Sequence, residues 1–371
     1  MVNSDRISII VPVYNGEKYI EQTLNQLRQV TYQNIEIVLI DDGSKDTSFR
    51  ICEEIASIDN RIRLYHQENQ GIVAARNTGL RYATGDYICF CDQDDIVKAD
   101  TYEIMYNRIK SENAGMCLCS TGKYANGTEN PYEMYEDATL DKDEIVKRIA
   151  LPIIFDGYRL NYGNATQQRV IGTIWKCMIS KSLIEKENVK FKRFINYEDD
   201  LLFLLDCLCG CDKVVTVSHM GYLWRVNTAS ETFRWKYIEM FYEKQMEYYL
   251  YLKKILEKLL VNEMVKKEFK RFFWCNIITE TIDNEGSPQN ERSYRSRIKY
   301  LKQIIFSQEY EDIIAGEKNI KWGLLRKKVI LILVKNRMIQ AAYWFNVLYR
   351  NVKKRAVHLR FWNYLEKKVN G

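Results

Sequence analysis

Apolar runs and helix-period segments alternate along the first 120 residues. Residues 7–14 (ISIIVPVY) form an apolar run of strand length, and residues 17–30 then carry Ile20, Leu24 and Leu27 at helical spacing. Residues 35–44 (IEIVLIDDGS) predict a second strand that ends in acids, followed by a helix at 47–58, a short strand at 61–66 and a helix at 71–83. A strand at 87–91 (YICFC), a helix at 101–112 and a strand at 115–120 (GMCLCS) close the series. Strands alternating with helices of this length predict βαβ units and an α/β fold with a mostly parallel sheet. Beyond residue 120 the pattern loosens. Residues 122–143 read as a polar loop, 172–184 return to apolar periodicity, and 189–208 predict a short strand, a run of acids and a helix. Residues 236–282 read as helical nearly throughout, and 284–292 (NEGSPQNER) read as a polar linker. These segments divide the chain into an α/β domain over 1–230 and a mainly helical region over 231–371.

At 371 residues the chain exceeds one ordinary core, which fits that division. Seven of the ten cysteines fall at alternating positions inside apolar stretches (Cys89/Cys91, Cys117/Cys119, Cys207/Cys209/Cys211), a spacing that suits small buried thiols rather than zinc or disulfides. Reduced cysteine, an N-terminal apolar run of only seven residues and no apolar run of spanning length together predict a cytoplasmic location. Charge is unevenly spread. The net charge is +6, but residues 321–371 hold thirteen Lys/Arg against Glu366, so this tail is +12 and residues 1–320 are −6. Cationic and aromatic clusters alternate in the tail, which makes it a candidate for reversible docking on an anionic membrane surface. The plainer reading is helices packed on the core with a solvated basic face. No nucleic-acid-binding motif is visible, so a nucleic-acid partner is not expected.

In a parallel α/β sheet, ligands sit at the carboxyl ends of the strands. Three predicted strand ends carry chemically capable residues: PVYN (12–15), DDGSKD (41–46) and DQDD (92–95). Asp92 and Asp94 stand at two-residue spacing, and carboxylates so close repel unless a cation lies between them. Oxygen-only ligands fit Mg²⁺ or Mn²⁺, which usually take one or two protein carboxylates and fill the remaining positions with water and substrate phosphates. The plainer reading is that these acids end a strand and open a turn. A second DxD, DKD at 141–143, opens a helical stretch where Asp is favoured as a cap, and reads as structural.

The segments PVYNGEKYIEQTL, EIVLIDDGSKD, NQGIVAARNTGLRYATGDYICFCDQDD and FINYEDDLLFLL, in this order and spacing, resemble the family 2 glycosyltransferases of the GT-A fold, bacterial surface-polysaccharide type. The resemblance covers roughly residues 7–230 and implies a Rossmann-like, mostly parallel central sheet flanked by helices. It implies that Pro12, Tyr14 and Asp42 border a nucleobase with Asp41 beside it, and that Arg76 approaches the donor diphosphate while Asn77 and Gly79 shape its helix. Asp92 would meet the ribose or the metal, Asp94 would be the principal ligand of Mn²⁺ or Mg²⁺, and Asp95 a third member. The catalytic base would come from Glu198, Asp199 or Asp200, with Asp199 first and Asp200 next. Trp175 would lie on the acceptor side, and Arg225 would reach or close over the diphosphate. Structural alternatives stand beside these roles: Tyr14 and Trp175 as core, Asp42 as a turn cap, Arg76 as a surface helix charge, and the acids at 198–200 as ordinary helix N-terminal residues.

ETFRW (231–235) differs by Glu231 from the QxxRW of processive members. With no spanning segment, that difference implies one sugar added per encounter. The expected activity is metal-dependent inverting transfer of a hexosyl or N-acetylhexosaminyl group from a nucleotide-diphosphate sugar, UDP favoured, to a hydroxyl of a glycan acceptor. A lipid-linked surface-polysaccharide precursor is the expected acceptor. The competing functions are an aspartate-nucleophile phosphatase and a catalytically inactive, transferase-like membrane-assembly protein.

Overall fold

In the computed structural model the described residues are 5–155, 170–195, 198–226, 237–306 and 325–352. The chain divides into two compact units, Met1–Ser230 and Glu231–Gly371. In the first unit β1 (Ile7–Val13), β2 (Ile35–Asp41), β3 (Ile62–His66) and β4 (Tyr87–Phe90) are joined by α1 (Ile20–Arg28), α2 (Ser48–Ile58) and α3 (Ile72–Tyr82). All residues of β1 and β2 are buried, as expected for parallel strands covered on both faces. Ile7, Ile9, Val11 and Val13 share a core cluster with Leu24 and Leu27 of α1. Ile10 faces the other way, against α3, where a Cβ on Gly79 would lie 2.3 Å from Ile10 Cγ2. Gly79 therefore sets how closely α3 approaches the sheet.

After β4 come a short β5 (Ile96–Val97), α4 (Thr101–Glu112), β6 (Met116–Ala125), β7 (Thr128–Glu133) and β8 (Ala138–Leu140). Next, α5 (Lys142–Ile145) runs through a π-helical turn (Val146–Ala150) into α6 (Leu151–Ile154), before β9 (Cys177–Ser180), α7 (Lys181–Lys186), α8 (Asp199–Gly210) and β10 (Val214–Arg225). The sheet order is β3-β2-β1-β4-β9-β6-β10-β5, with β7 on β6 and β8 on β10. Strands β3, β2, β1, β4, β6 and β10 run in one direction, and β5, β7, β8 and β9 oppose it. This is an α/β fold whose long strands are parallel and whose short connecting strands reverse.

The cysteines lie in this framework as free thiols, nine of the ten buried, and burial pushes thiols such as Cys117 well above their ordinary range. Asp141 caps α5, accepting a hydrogen bond from the Glu144 N–H at 2.9 Å, so the DKD segment is structural.

Three segments differ from the sequence expectation. Residues 122–133 are not a loop: β6 runs on to Ala125 and turns through Asn126 and Gly127, both at positive φ, into β7. The first five residues of β7 are exposed or half-buried, so no apolar alternation marks it, but Asn-Gly is itself the strongest short hairpin signal. The expected strand ahead of α8 is absent among the described residues. Phe191 is instead held irregularly by Asn77, whose side chain bonds the Phe191 N–H at 2.9 Å and carbonyl at 3.0 Å. Asn77 thus ties α3 to the segment before α8 rather than shaping its own helix. Residues 284–292 are no linker either, because Glu285, Ser287 and Asn290 are buried in a turn where Asn290 Nδ2 donates to Glu285 Oε2 at 2.9 Å.

That turn lies inside the second unit, between α10 (Glu263–Glu285) and α11 (Tyr294–Ile305). The unit also contains α9 (Phe241–Lys258), whose Tyr249 stacks on Phe269 of α10, and helices over Leu325–Lys335 and 339–352. Among the described residues no helix is long and apolar enough to cross a membrane. The ETFRW segment and the tail beyond residue 352 lie outside the described residues.

Candidate active site

The strand ends singled out in the sequence are bonded to one another. The loop after β1 is fixed from two sides. On the β2 side, the N–H groups of Asn15 and Gly16 donate to Ser44 Oγ at 3.1 Å and Ser48 Oγ at 2.7 Å, and Asn15 Oδ1 accepts from the Lys45 N–H at 2.8 Å. On the β4 side, Gln93 accepts from the Tyr14 N–H at 2.9 Å and donates to the Tyr14 carbonyl at 3.0 Å. Pro12 is buried within β1 opposite Ile40, whereas the Tyr14 side chain is exposed (41%), so it is no core residue and stands open to a ligand.

Asp41 is buried with Oδ2 2.7 Å from His66 Nδ1. Asp42, also buried, accepts from Gln67 Nε2 at 2.7 Å and from the N–H groups of Gln70 at 3.0 Å and Gly71 at 2.8 Å. A carboxylate offers about four lone-pair positions, so these three bonds shape the 67–71 loop and leave one position for a further donor.

The acids of β4 and α8 meet at Arg76. Arg76 rises from α3 and is buried, so it is not a surface helix charge. It donates to Asp92 Oδ1 at 3.2 Å and Asp199 Oδ2 at 2.7 Å, and also to Asp200 Oδ1. Burial opposes its charge, but Asp200, Asp92 and Asp199 more than offset that and hold the guanidinium protonated.

The acids at 198–200 have distinct surroundings. Glu198 precedes α8 and folds back to accept from the Phe194 N–H at 2.6 Å and from the Ile195 N–H. Asp199 has both oxygens committed, Oδ2 to Arg76 and Oδ1 to Arg193 at 3.0 and 2.7 Å, with its side chain 4% exposed. Asp200 is 16% exposed, and its pKa is pushed up to about 7. Burial is the main cause, Arg76 pulls the other way, and the neighbouring Asp199 and Asp92 push further up.

The DQDD acids also separate. Asp95 is buried, accepting from Tyr222 Oη at 2.8 Å and from the Arg225 N–H at 2.8 Å; burial, with Asp92 and Asp94 beside it, pushes its pKa well up. It is a structural acid rather than a third ligand. Asp92 and Asp94 are half-buried. Arg225 donates to the Asp94 carbonyl at 2.8 Å and to Gln22 Oε1 at 3.0 Å, with its guanidinium 4.9 Å from the Tyr19 ring and 5.3 Å from that of Tyr124. Trp175 is buried and stacks on Tyr222 at 4.4 Å, so it packs behind the DQDD segment. Its neighbour Lys176 is fully buried against Glu133 at 2.6 Å.

Gln93, Arg193, Tyr222 and the Glu133–Lys176 pair were missed by sequence reasoning. Only Arg193, six residues before Asp199, carried a local signal.

The carboxyls of Asp92, Asp199 and Asp200 converge on Arg76, and Arg193 adds a second guanidinium on Asp199. Among the described residues no group of three or more His, Cys, Asp or Glu side chains forms a ready metal cage. The half-buried, all-oxygen pair of Asp92 and Asp94 fits Mg²⁺ or Mn²⁺, which complete their coordination with water and phosphate oxygens.

Residues 8–182 match the family described as glycosyl transferase family 2. The glycosyltransferase GlyG of Streptococcus pneumoniae is 33% identical over 228 residues, which cover 61% of this chain and 73% of GlyG. The uncharacterized glycosyltransferase EpsJ of Bacillus subtilis is 31% identical over 228 residues. This match covers 61% of the chain but only 62% of the Bacillus protein's length. Among solved structures, Staphylococcus aureus TarS 1–349 in complex with UDP-GlcNAc is similar in fold, with a TM-score of 0.61 and 17% identity over 93% of this chain and 92% of that one.

Proposed function

The chain belongs to glycosyl transferase family 2, and we propose that it transfers one sugar per encounter, with inversion, from a nucleotide-diphosphate donor to a glycan hydroxyl. The observation that carries this reading is the buried Arg76 network. One guanidinium ties Asp92, beside the proposed metal and donor site, to Asp199 and Asp200 at the start of α8. A donor-side acid and a base candidate are thereby held in one ion cluster.

Asp200 is the better base. Asp199 has both oxygens on guanidiniums, while Asp200 is more open and ionises near neutrality, where a general base works best. The acceptor oxygen bonds to the anomeric carbon from the face opposite the leaving group, and its proton passes to Asp200. The bond from that carbon to the β-phosphate oxygen breaks, releasing the nucleoside diphosphate. Asp94 and Asp92 would hold Mn²⁺ or Mg²⁺, which when bound supplies Lewis-acid stabilisation to the departing diphosphate. Tyr14, Pro12 and Asp42 border the base with Asp41 behind them. Arg76 and Arg225 position acids and loops, and Arg225 would reach or close over the diphosphate.

UDP is the first nucleotide to test, because the TarS structure of similar fold holds a UDP sugar. Thermal unfolding against a panel of nucleoside diphosphates and nucleotide sugars, with and without Mn²⁺, is expected to give a metal-dependent shift for one base. A ligand at 100 times its dissociation constant adds about 2.7 kcal/mol of stability, a readable shift. No shift with any of them would overturn the donor site.

A lipid-linked acceptor would place the enzyme at an anionic membrane surface. The +12 tail supports this, as do Trp344, Leu348 and Val352, exposed at 50, 60 and 66% and spaced four apart on the 339–352 helix. Sedimentation with anionic vesicles should retain the full chain and lose a Trp344→Ser/Leu348→Ser/Val352→Ser variant at least fivefold. Equal binding of the two proteins would exclude this face.

A further inference from the structure

Gln93, the second residue of DQDD, is its one uncharged member, yet its side chain makes a paired contact with the loop after β1. A primary amide presents one acceptor and one donor side by side, and Gln93 places both on the main chain of a single residue, Tyr14, at 2.9 and 3.0 Å. Its own peptide is fixed from below, because the buried Thr23 hydroxyl donates to the carbonyls of Gln93 at 2.9 Å and Asp95 at 3.1 Å. Space for the amide exists only because residue 16 is glycine: a Cβ there would sit 2.3 Å from Gln93 Oε1. The far side of the same loop is bonded to Ser44 and Ser48, so its remaining freedom is controlled by Gln93.

Resting on the donor reading above, we propose that Gln93 is a positioning residue that sets the span between the base-side Tyr14 and the phosphate-side acids Asp92 and Asp94, and so tunes the site to a complete nucleoside diphosphate. Gln93 lies between the two acids in the chain and grips Tyr14 with its side chain, so one residue links both ends of the ligand. A nucleoside diphosphate gains over its separate halves only if both ends bind at once, and that gain depends on the two subsites holding their separation. Loosening the loop should therefore weaken the whole ligand while sparing each half.

The test measures three affinities in wild type, Gln93→Met and Gly16→Ala: the preferred nucleoside diphosphate with Mn²⁺, its free nucleoside, and pyrophosphate with Mn²⁺. Methionine keeps the length of glutamine without its amide, and alanine at 16 displaces the amide by an independent route. Both variants are expected to bind the nucleoside diphosphate at least tenfold more weakly, with both fragments within twofold of wild type. Equal loss of all three ligands, or loss of none, overturns the positioning role. A wild-type protein that binds no nucleoside diphosphate overturns instead the donor reading on which the role rests.

Discussion

Replacing Asp200 with asparagine lowers kcat for sugar transfer by about a hundredfold to ten-thousandfold, the usual loss on removing a positioned general base, while nucleotide affinity stays near wild type. Burial among Asp199 and Asp92, opposed by Arg76, leaves the carboxyl with a pKa of about 7. The base must be ionised to take the acceptor proton, so kcat/KM rises with pH and levels off above about 7. The asparagine variant lacks that acid limb.

Stability carries an independent sign. Because the folded pKa lies above the ordinary aspartate range, the folded chain holds a proton that the unfolded chain has lost between about pH 4 and 7. This group's contribution to stability therefore falls as pH rises through that window, and Asp200→Asn should unfold no earlier than wild type at pH 7. Asp199→Asn should behave differently, destabilising the chain by leaving Arg193 and Arg76 short of a partner while keeping the acid limb. If the limb vanishes in Asp199→Asn and persists in Asp200→Asn, the base is Asp199.

The contrast between these two acids marks where sequence reasoning reaches its limit. The alternation of β1 to β4 with helices was legible because β1, β2 and β4 are mostly apolar and the segments between them carry helical spacing, and chain direction then placed PVYN, DDGSKD and DQDD at one edge. Which acid does what depends on partners far away in sequence. Arg76 lies more than 120 positions from Asp199 and Asp200, and its buried position cannot be read from a helix-period segment that also contains Arg81 on a more open face. Gln93 was hidden for another reason. In a run of acids the neutral residue looks like a spacer, and its role appears only when Tyr14, 79 residues earlier, is brought beside it. The β6–β7 hairpin escaped because its outer strand has no buried face to impose a period of two.

The same division within DQDD supports a second large effect. Asp94→Ala should reduce turnover by at least about a thousandfold and abolish the Mn²⁺-dependent part of the nucleotide-induced thermal shift, since a lost Lewis-acid contribution is worth several kcal/mol. The fold should survive, because Asp94 is only half-buried, whereas its neighbour Asp95 is the buried acid of the segment. Asp95 holds Tyr222 Oη and the Arg225 N–H, and the bond that ties residue 94 to Arg225 comes from its main-chain carbonyl, which alanine retains. Asp95→Ala should show the reverse, a lower unfolding temperature without ligand from a buried hydroxyl and N–H left unpaired, at about 1–3 kcal/mol for each group. The two variants thus separate ligand chemistry from scaffold within two adjacent residues. An Asp94→Ala protein that keeps both turnover and the Mn²⁺-dependent shift would move the metal off this strand end, and Asp92, already bonded to Arg76, could hold it only by surrendering part of the network that positions the base.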